Sequence, residues 1–594
     1  MCTVIFDSRS EEYKKPFGCL SPGQKCRLRV FAERGQAVLL LNRDGDAERK
    51  IAAAREETYA ENAAFCFEFT PEETGLYFYS FLINGKRLGR GKFNRPSFDA
   101  PEKWSVLCCR EDKPVSESFR GRVMYQIFPD RFCKCGDCDT SGKLTPFFMH
   151  TDTRDIPEYR YDGERQNNDF YGGNFSGIIQ RLGYLKSLGV GIIYLNPIFK
   201  AFSNHRYDTA DYMKIDPLLG TEEDFIRLAD EIHGCGMKLI LDGVFSHTGA
   251  DSVYFDIKGR GSEGAYAGEG SPYRSWYSFN ENGYDCWWGI KTLPCVNEMD
   301  ESYLDFILTG ENSVVRRWLR LGADGYRLDV ADELPDEFLK IFRRTVREEK
   351  PDSLIIGEVW EDASLKISYG RRRGYLLGDE LDGVMNYVYK NAIIDFVCGK
   401  TDAEELCESV MSIAENYPAS ALHSSMVMLS THDTYRILTA LGAPGGDALT
   451  RDERAVYKMT AAELALAKKR LKAAVYLLFT LPGSPSIYYG DEAGMQGYED
   501  PFNRGFFNWE ETDGEIFEYY RGMAELKNSS PALRLGDIKP ISAGKDGFVF
   551  ERSYKGEKAV CSTCESEQEK LFHKIMQTRK NAAELYQKKS CKAP

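Results

Sequence analysis

Up to about residue 112 the apolar positions come in short alternating or continuous runs between turn residues. Lys25 to Phe31, Ala37 to Leu41, Phe65 to Phe69 and Leu76 to Leu82 are the clearest, with Thr74-Gly75 and Asn84-Gly85 as turn signals. This pattern predicts an N-terminal β-sandwich over 1–112. Glu111 to Arg122 is polar and carries a proline, and is expected to be a linker. From Val123 the pattern changes to short apolar strands alternating with amphipathic helices. Eight strands are predicted: Val123–Phe128, Gly191–Asn196, Lys238–Val244, Gly325–Val330, Leu354–Val359, Gly383–Tyr387, Met426–Ser430 and Ser486–Tyr489. Thr221-Glu-Glu-Asp reads as a capping box, Phe225, Leu228, Ala229 and Ile232 follow helical spacing, and Gly234 stops the helix. Glu337 to Arg347, Ala403 to Glu415 and Arg454 to Leu478 are further helices. Eight βα units over roughly 400 residues predict an α/β fold, a (β/α)8 TIM barrel over 113–528. A doubly wound sheet is the alternative, but no G-x-G-x-x-G opens a first βα turn.

The longest excursion follows the third strand, about 247–312, and holds Tyr254, Phe255, Tyr273, Trp276, Tyr277, Phe279, Tyr284, Trp287 and Trp288. Such density fits the core of a small subdomain, and also flat faces for sugar rings. After Asn528 only a short C-terminal β region is expected over 529–594. It comprises strands such as Gly547–Arg552 and Lys558–Cys561, then a polar helical tail from Glu565 to Lys589.

The net charge of −14 argues against a nucleic-acid partner. No apolar run of ~18 residues predicts a membrane span. Met1-Cys-Thr-Val-Ile-Phe lacks a basic start and an apolar core, so no secretory signal is expected. The seventeen cysteines are scattered and odd in number, which suits reduced thiols in a cytoplasm. One tight group, Cys133-Lys-Cys-Gly-Asp-Cys138, lacks a nearby fourth zinc ligand, Cys561 and Cys564 being the other close pair.

In a barrel of this type catalytic groups sit at the C-terminal ends of strands. Strand 3 ends at Asp242 and leads to His247; strand 4 ends Arg327-Leu-Asp329; strand 5 ends at Glu358; strand 7 ends Thr431-His-Asp433. Arg327 and Asp329, two apart, share one strand face. A single Arg-x-Asp is usually a structural ion pair, but four converging strands mark a site. Paired carboxylates with no phosphate loop fit glycoside hydrolysis. Asp329, beside Arg327, is expected to stay ionised, and Glu358, between Val359 and Trp360, to be raised by apolar neighbours.

From about Val123 to Trp509 these segments resemble the conserved regions of the α-amylase family, glycoside hydrolase family thirteen. Tyr125-Gln-Ile-Phe-Pro-Asp-Arg-Phe132, Tyr171-Gly-Gly173, Leu195-Asn-Pro-Ile-Phe199, Trp287-Trp-Gly-Ile-Lys-Thr-Leu-Pro294 and Val384-Met-Asn-Tyr387 are most similar to the neopullulanase, cyclomaltodextrinase and maltogenic amylase group. The resemblance implies Asp329 as nucleophile, Glu358 as general acid/base and Asp433 as the carboxylate gripping sugar hydroxyls. It also implies substrate binding by His247, His432, Tyr207, Asp242 and Arg327, the last orienting Asp329, and acceptor-side tuning by Glu333 and Trp360. Ser246 and Thr431 stand where the family usually has Asn, and Asn or Ser. The group's calcium loop should follow Phe132. Here its Ca2+ donors reduce to Asp137, Asp139 and Asn174 among three thiols, and the chemistry itself requires no cofactor. The resemblance further implies a homodimer through the N-terminal domain. Three functions stay open at this point: hydrolysis of α-1,4-glucosidic bonds in malto-oligosaccharides or cyclomaltodextrins, transfer of glucan segments on the same site, and carbohydrate binding without catalysis.

Overall fold

The computed structural model describes residues 4–564 and 566, apart from 60, 111–114, 158–166, 262 and 282. Two antiparallel sheets form the N-terminal unit. One is ordered Lys14–Lys15, Cys26–Glu33, Asn62–Phe69, Arg55–Tyr59. The other runs Arg49–Ala52, Ala37–Arg43, Gly75–Ile83, Lys86–Arg90, Pro96–Ser97, with Trp104–Cys108 also pairing on Gly75–Ile83. Alternation turns Leu28, Val30, Phe65, Phe67 and Phe81 inward, where they pack with Trp104.

The eight predicted barrel strands all form: β1 Met124–Ile127, β2 Ile192–Leu195, β3 Lys238–Gly243, β4 Gly325–Leu328, β5 Leu354–Gly357, β6 Gly383–Val384, β7 Met426–Met428 and β8 Ser484–Tyr488. They pair in parallel in the order β6-β5-β4-β3-β2-β1-β8-β7, and one parallel bridge, Met385 to Met426, closes β6 onto β7. Buried on both faces, the strands read as continuous apolar runs, yet the period of two still sorts them. Met124, Ile192, Tyr194, Ile240, Ile356, Met426 and Met428 fill the interior, while Tyr125, Ile193, Leu239, Leu241, Leu328 and Ile355 meet the helices. The interior parity carries on up the strands to Gln126, Asp242, Arg327, Asp329 and Glu358. Gly325 opens β4 because a Cβ there would lie 2.0 Å from the Leu354 carbonyl oxygen of β5.

Some expectations need revising. The strand expected over Gly383–Tyr387 stops at Val384, because the Asn386 side chain accepts from the Tyr389 N–H and starts the helix Tyr387–Val397. The helix expected over Arg454–Leu478 is two, Arg451–Val456 and Ala461–Thr480, each opened by its own capping box at Thr450 and Thr460. The linker expected from Glu111 begins outside the described residues. Its remainder is no polar connector, since Val115 and Phe119 are buried beneath the barrel interior with Met124 and Ile192. Most of the aromatic insertion is core: Tyr254, Phe255, Trp276, Tyr277 and Tyr284 are buried, whereas Trp288 projects into solvent. Asp537–Gly544, Gly547–Tyr554 and Glu557–Ser562 form a three-stranded antiparallel sheet, and the tail expected over Glu565–Lys589 lies outside the described residues save Ser566.

Candidate active site

Register brings the rim together. Asp242 of β3 sits directly beside Arg327 of β4, and Leu328 beside Gly357 of β5. The Arg327 guanidinium, 1% exposed, donates from Nη1 to Asp242 Oδ1 at 2.9 Å and to Asp329 Oδ1 at 2.8 Å. Its Nη2 lies 2.7 Å from Glu358 Oε2, an ion pair without the alignment of a hydrogen bond. One cation thus faces three buried carboxyls.

Glu358 was expected to sit among apolar neighbours, but the structure gives it donors. The Val330 N–H reaches Oε2 at 2.9 Å, and Trp360 turns its Nε1–H onto Oε1 at 3.0 Å while its ring stacks on Tyr387 at 3.9 Å. Val330 delivers its N–H from φ 37°, a left-handed conformation that a β-branched residue adopts only under strain. Burial pushes the Asp329 carboxyl well above the usual range, the Glu358 and Asp242 charges add to this, and Arg327 opposes it. Burial also raises Asp242, again against Arg327. The expectation that Arg327 alone keeps Asp329 ionised therefore misses the like charges. Three carboxyls thus compete for the charge of one guanidinium.

Asp242 is spent on this network, since its second oxygen accepts from Tyr194 at 2.6 Å and Tyr207 at 2.9 Å. The Tyr207 hydroxyl also lies 2.6 Å from His432 Nε2, and Gln126 Nε2 lies 2.9 Å from His432 Nδ1. Gln126 can only donate there, so the His432 proton is on Nε2 and the Tyr207 proton points to Asp242. Burial, then the Arg504 and Arg327 charges, hold His432 well below the usual histidine range. Asp433 Oδ2 is 3.2 Å from His432 Nε2, and Arg504 Nη2 is 3.5 Å from Oδ1. Its surroundings push Asp433 up, but a third of the side chain (32%) meets solvent, so water limits that shift. His247 is buried, with Ser246 Oγ 3.0 Å from Nδ1 and Nε2 without a protein partner. The serine thus engages the ring where an amide was expected. Burial lowers His247 to about 4. Glu333 accepts from the Tyr369 hydroxyl, outside the carboxyl cluster.

Sequence reasoning missed Gln126, Tyr194, Val330, Arg504 and Tyr369. Arg504 had a signal: a rim of carboxylates calls for cations beyond Arg327. Strain at Val330 leaves none. Asp137, Asp139 and Asn174 line a cavity of about 710 Å3 together with Glu222 and Arg317, away from the rim. Two of the three donors are engaged within the protein. Asn174 Oδ1 caps a helix at Gly177 N, its Nδ2 donates to the Cys135 carbonyl, and Asp139 accepts from Ser141 N. Among the described residues no three His, Cys, Asp or Glu side chains converge on a metal position.

A parallel barrel closed by one bridge, with four carboxylates, two arginines and two histidines on its C-terminal rim, defines the α/β-barrel class with glycosidase-like sites. The description "Alpha amylase, catalytic domain" matches residues 126–532, and the chain belongs to the α-amylase family. It is 39% identical over 481 residues to an amylopullulanase of Thermoanaerobacter thermohydrosulfuricus, covering 73% of this chain and 31% of that protein. It is 31% identical to neopullulanase 2 of Thermoactinomyces vulgaris, over 92% of this chain and 88% of the relative. A solved structure titled cyclomaltodextrinase superposes with TM-score 0.64 at 27% identity, covering 94% of this chain and 90% of that one. The chain spans 31% to 46% of the length of the three amylopullulanases it matches.

Proposed function

We propose that the protein is a retaining glycoside hydrolase that cleaves α-1,4-glucosidic bonds of short or cyclic α-glucans. The observation that carries this is the Arg327 guanidinium holding Asp329 and Glu358 together, with Asp433 open to the cleft. One guanidinium touching both carboxyls favours the short separation, ~5–5.5 Å, of retaining enzymes.

Asp329 attacks the anomeric carbon and Glu358 protonates the leaving oxygen. The proton on the leaving oxygen comes from the Glu358 carboxyl, while the Asp329 carboxylate, held by Arg327, forms the new bond to the anomeric carbon as the glycosidic bond breaks. Water, activated by Glu358 now acting as base, then hydrolyses the glycosyl ester. Asp433 and the unpartnered Nε2 of His247 bind hydroxyls of the reacting sugar, His432 joins them where a sugar hydroxyl takes the place of Tyr207 on its Nε2–H, Tyr207 lies beneath the ring, and Asp242 with Arg327 orients the set. Glu333 and Trp360 face the acceptor.

Relatives named neopullulanase and cyclomaltodextrinase support this substrate range. No helix among the described residues is long and apolar enough to cross a membrane, and no disulfide links the described cysteines. A cytoplasmic location, where imported oligosaccharides would be the available glucans, is proposed on the scattered, odd-numbered cysteines of the sequence. Self-association through the N-terminal sandwich is proposed on the resemblance, and sedimentation velocity tests it. The test of the function is a proton NMR time course on maltotriose. The α-anomer should appear first, and initial β-anomer overturns the assignment of Asp329 and Glu358.

A further inference from the structure

The segment after β5 returns as a hairpin, Ile367–Ser368 paired with Arg371–Arg372, with Tyr369 at its tip. Tyr369 holds φ 49°, and its ring is 75% exposed, beside Ile367 at 56% on the same hairpin. An aromatic residue in the left-handed region costs ~1–3 kcal/mol and persists only where its surroundings over-determine it. Here they do. The hydroxyl donates to Glu333, four residues beyond Asp329. The hairpin base is braced to the 332–336 loop by Lys366 on Asp332 at 2.7 Å, Arg373 on Asp336 at 2.7 Å and the Tyr375 hydroxyl on Asp332 at 2.6 Å. From the other side, Arg372 Nε donates to Asp44 Oδ2 of the N-terminal sandwich at 2.7 Å, with its guanidinium 6.0 Å from the Phe78 ring. The Arg110 N–H also reaches the Leu377 carbonyl at 2.9 Å.

An open ring face with a hydroxyl-binding carboxylate next to it is what a pyranose needs, one face for its C–H side and one acceptor for its hydroxyls. We propose that Tyr369 is a sugar-stacking residue that sets acceptor-side specificity, and that Asp44, through Arg372, is its positioning residue. The sandwich thereby supports the acceptor rim within one chain. This rests on the hydrolase reading above.

The experiment compares maltohexaose, which fills acceptor positions, with an aryl maltoside, which has no acceptor sugar. Tyr369→Ala should raise KM on maltohexaose about five- to tenfold. Its effect on the aryl maltoside should be much smaller. Asp44→Ala should raise the maltohexaose KM about twofold, as a half-exposed ion pair allows. It should leave aryl maltoside turnover unchanged, and its effect should vanish in the Tyr369→Ala background. The same ratios are read as Kd for maltohexaose by calorimetry in Glu358→Gln, so failure of the hydrolase reading leaves this inference decidable. An unchanged maltohexaose KM and Kd in Tyr369→Ala, equal changes on both substrates, additive Asp44 and Tyr369 effects, or a change confined to sedimentation would each overturn it. The last result would make the exposed hairpin a contact between copies instead.

Discussion

Removing the Arg327 side chain is the sharpest perturbation of this site. Arg327→Ala deletes the partner of Asp242 at 2.9 Å, Asp329 at 2.8 Å and Glu358 at 2.7 Å, all three of them less than a tenth exposed. Leaving a buried ionic group uncompensated costs ~3–5 kcal/mol, more than the pair itself contributes over an apolar substitute. The cost must depend on pH. Carboxyls whose folded-state pKa is raised bind more protons folded than unfolded, so their contribution falls as pH rises above the unfolded value, about 4. Without the cation the rise is steeper. The deficit of Arg327→Ala relative to wild type should therefore be small near pH 4 and grow towards pH 8. Replacing the now unpaired Asp242 by Asn in the same chain should return ~1–3 kcal/mol of stability without returning activity. Urea denaturation followed by tryptophan fluorescence at pH 5, 6.5 and 8 measures all three quantities. A deficit below ~1 kcal/mol, one independent of pH, or no recovery from Asp242→Asn would refute the view that one guanidinium balances this cluster.

Asp329→Ala and Glu358→Gln should each remove nearly all turnover with unchanged circular dichroism, and only Glu358→Gln should regain rate on an aryl glycoside with an activated leaving group. Equal losses on activated and unactivated substrates would count against Glu358 as the acid. Val330→Gly keeps the N–H donated to Glu358 and relieves the strain at φ 37°, so kcat should hold while stability rises by ~1 kcal/mol. A loss of stability would show that the valine side chain matters more than its backbone. His247, lowered to about 4, and His423 and His432, lowered well below 6.5, bind fewer protons folded than unfolded. Stability from these rings is present above pH 6.5 and is lost as pH falls towards 4, at up to ~1.4 kcal/mol per pH unit per ring. Ring-proton NMR should show no titration of the three between pH 5 and 8.

The barrel was legible because each of its strands is a short apolar run bounded by turn residues and separated by a helix-period segment. The rim was legible for the same reason, since fixing a strand fixes which polar residue ends it. Asp242, Arg327, Asp329, Glu358 and His432 all follow from strand ends. What escaped was set by groups distant in sequence. Glu358 looked apolar from its neighbours Val359 and Trp360, but the indole turned its N–H inward and Val330 came in from the adjacent strand. The charge state of Asp329 looked settled by Arg327 two residues away, until Asp242, 87 positions earlier in the numbering, and Glu358 joined it. Phe119 sat in a polar stretch and gave no period, yet it plugs the barrel floor.

The barrel seam has a consequence for local stability. β6 and β7 are the shortest neighbours in the sheet, two and three residues, and one bridge joins them. Ala403–Asn416, the helix packed on Tyr387–Val397 that in turn meets β7, is gripped from outside by Arg9 and Arg90 on Glu408 and by Arg9 on Glu415. The sheet of Asp537–Gly544 packs against the same helix. Closure thus rests on two short strands, and the helices packed around this part of the ring are braced by segments from both flanks of the barrel. Trimming either flank should therefore raise amide exchange at β6 and β7 before it does so in β2 to β5.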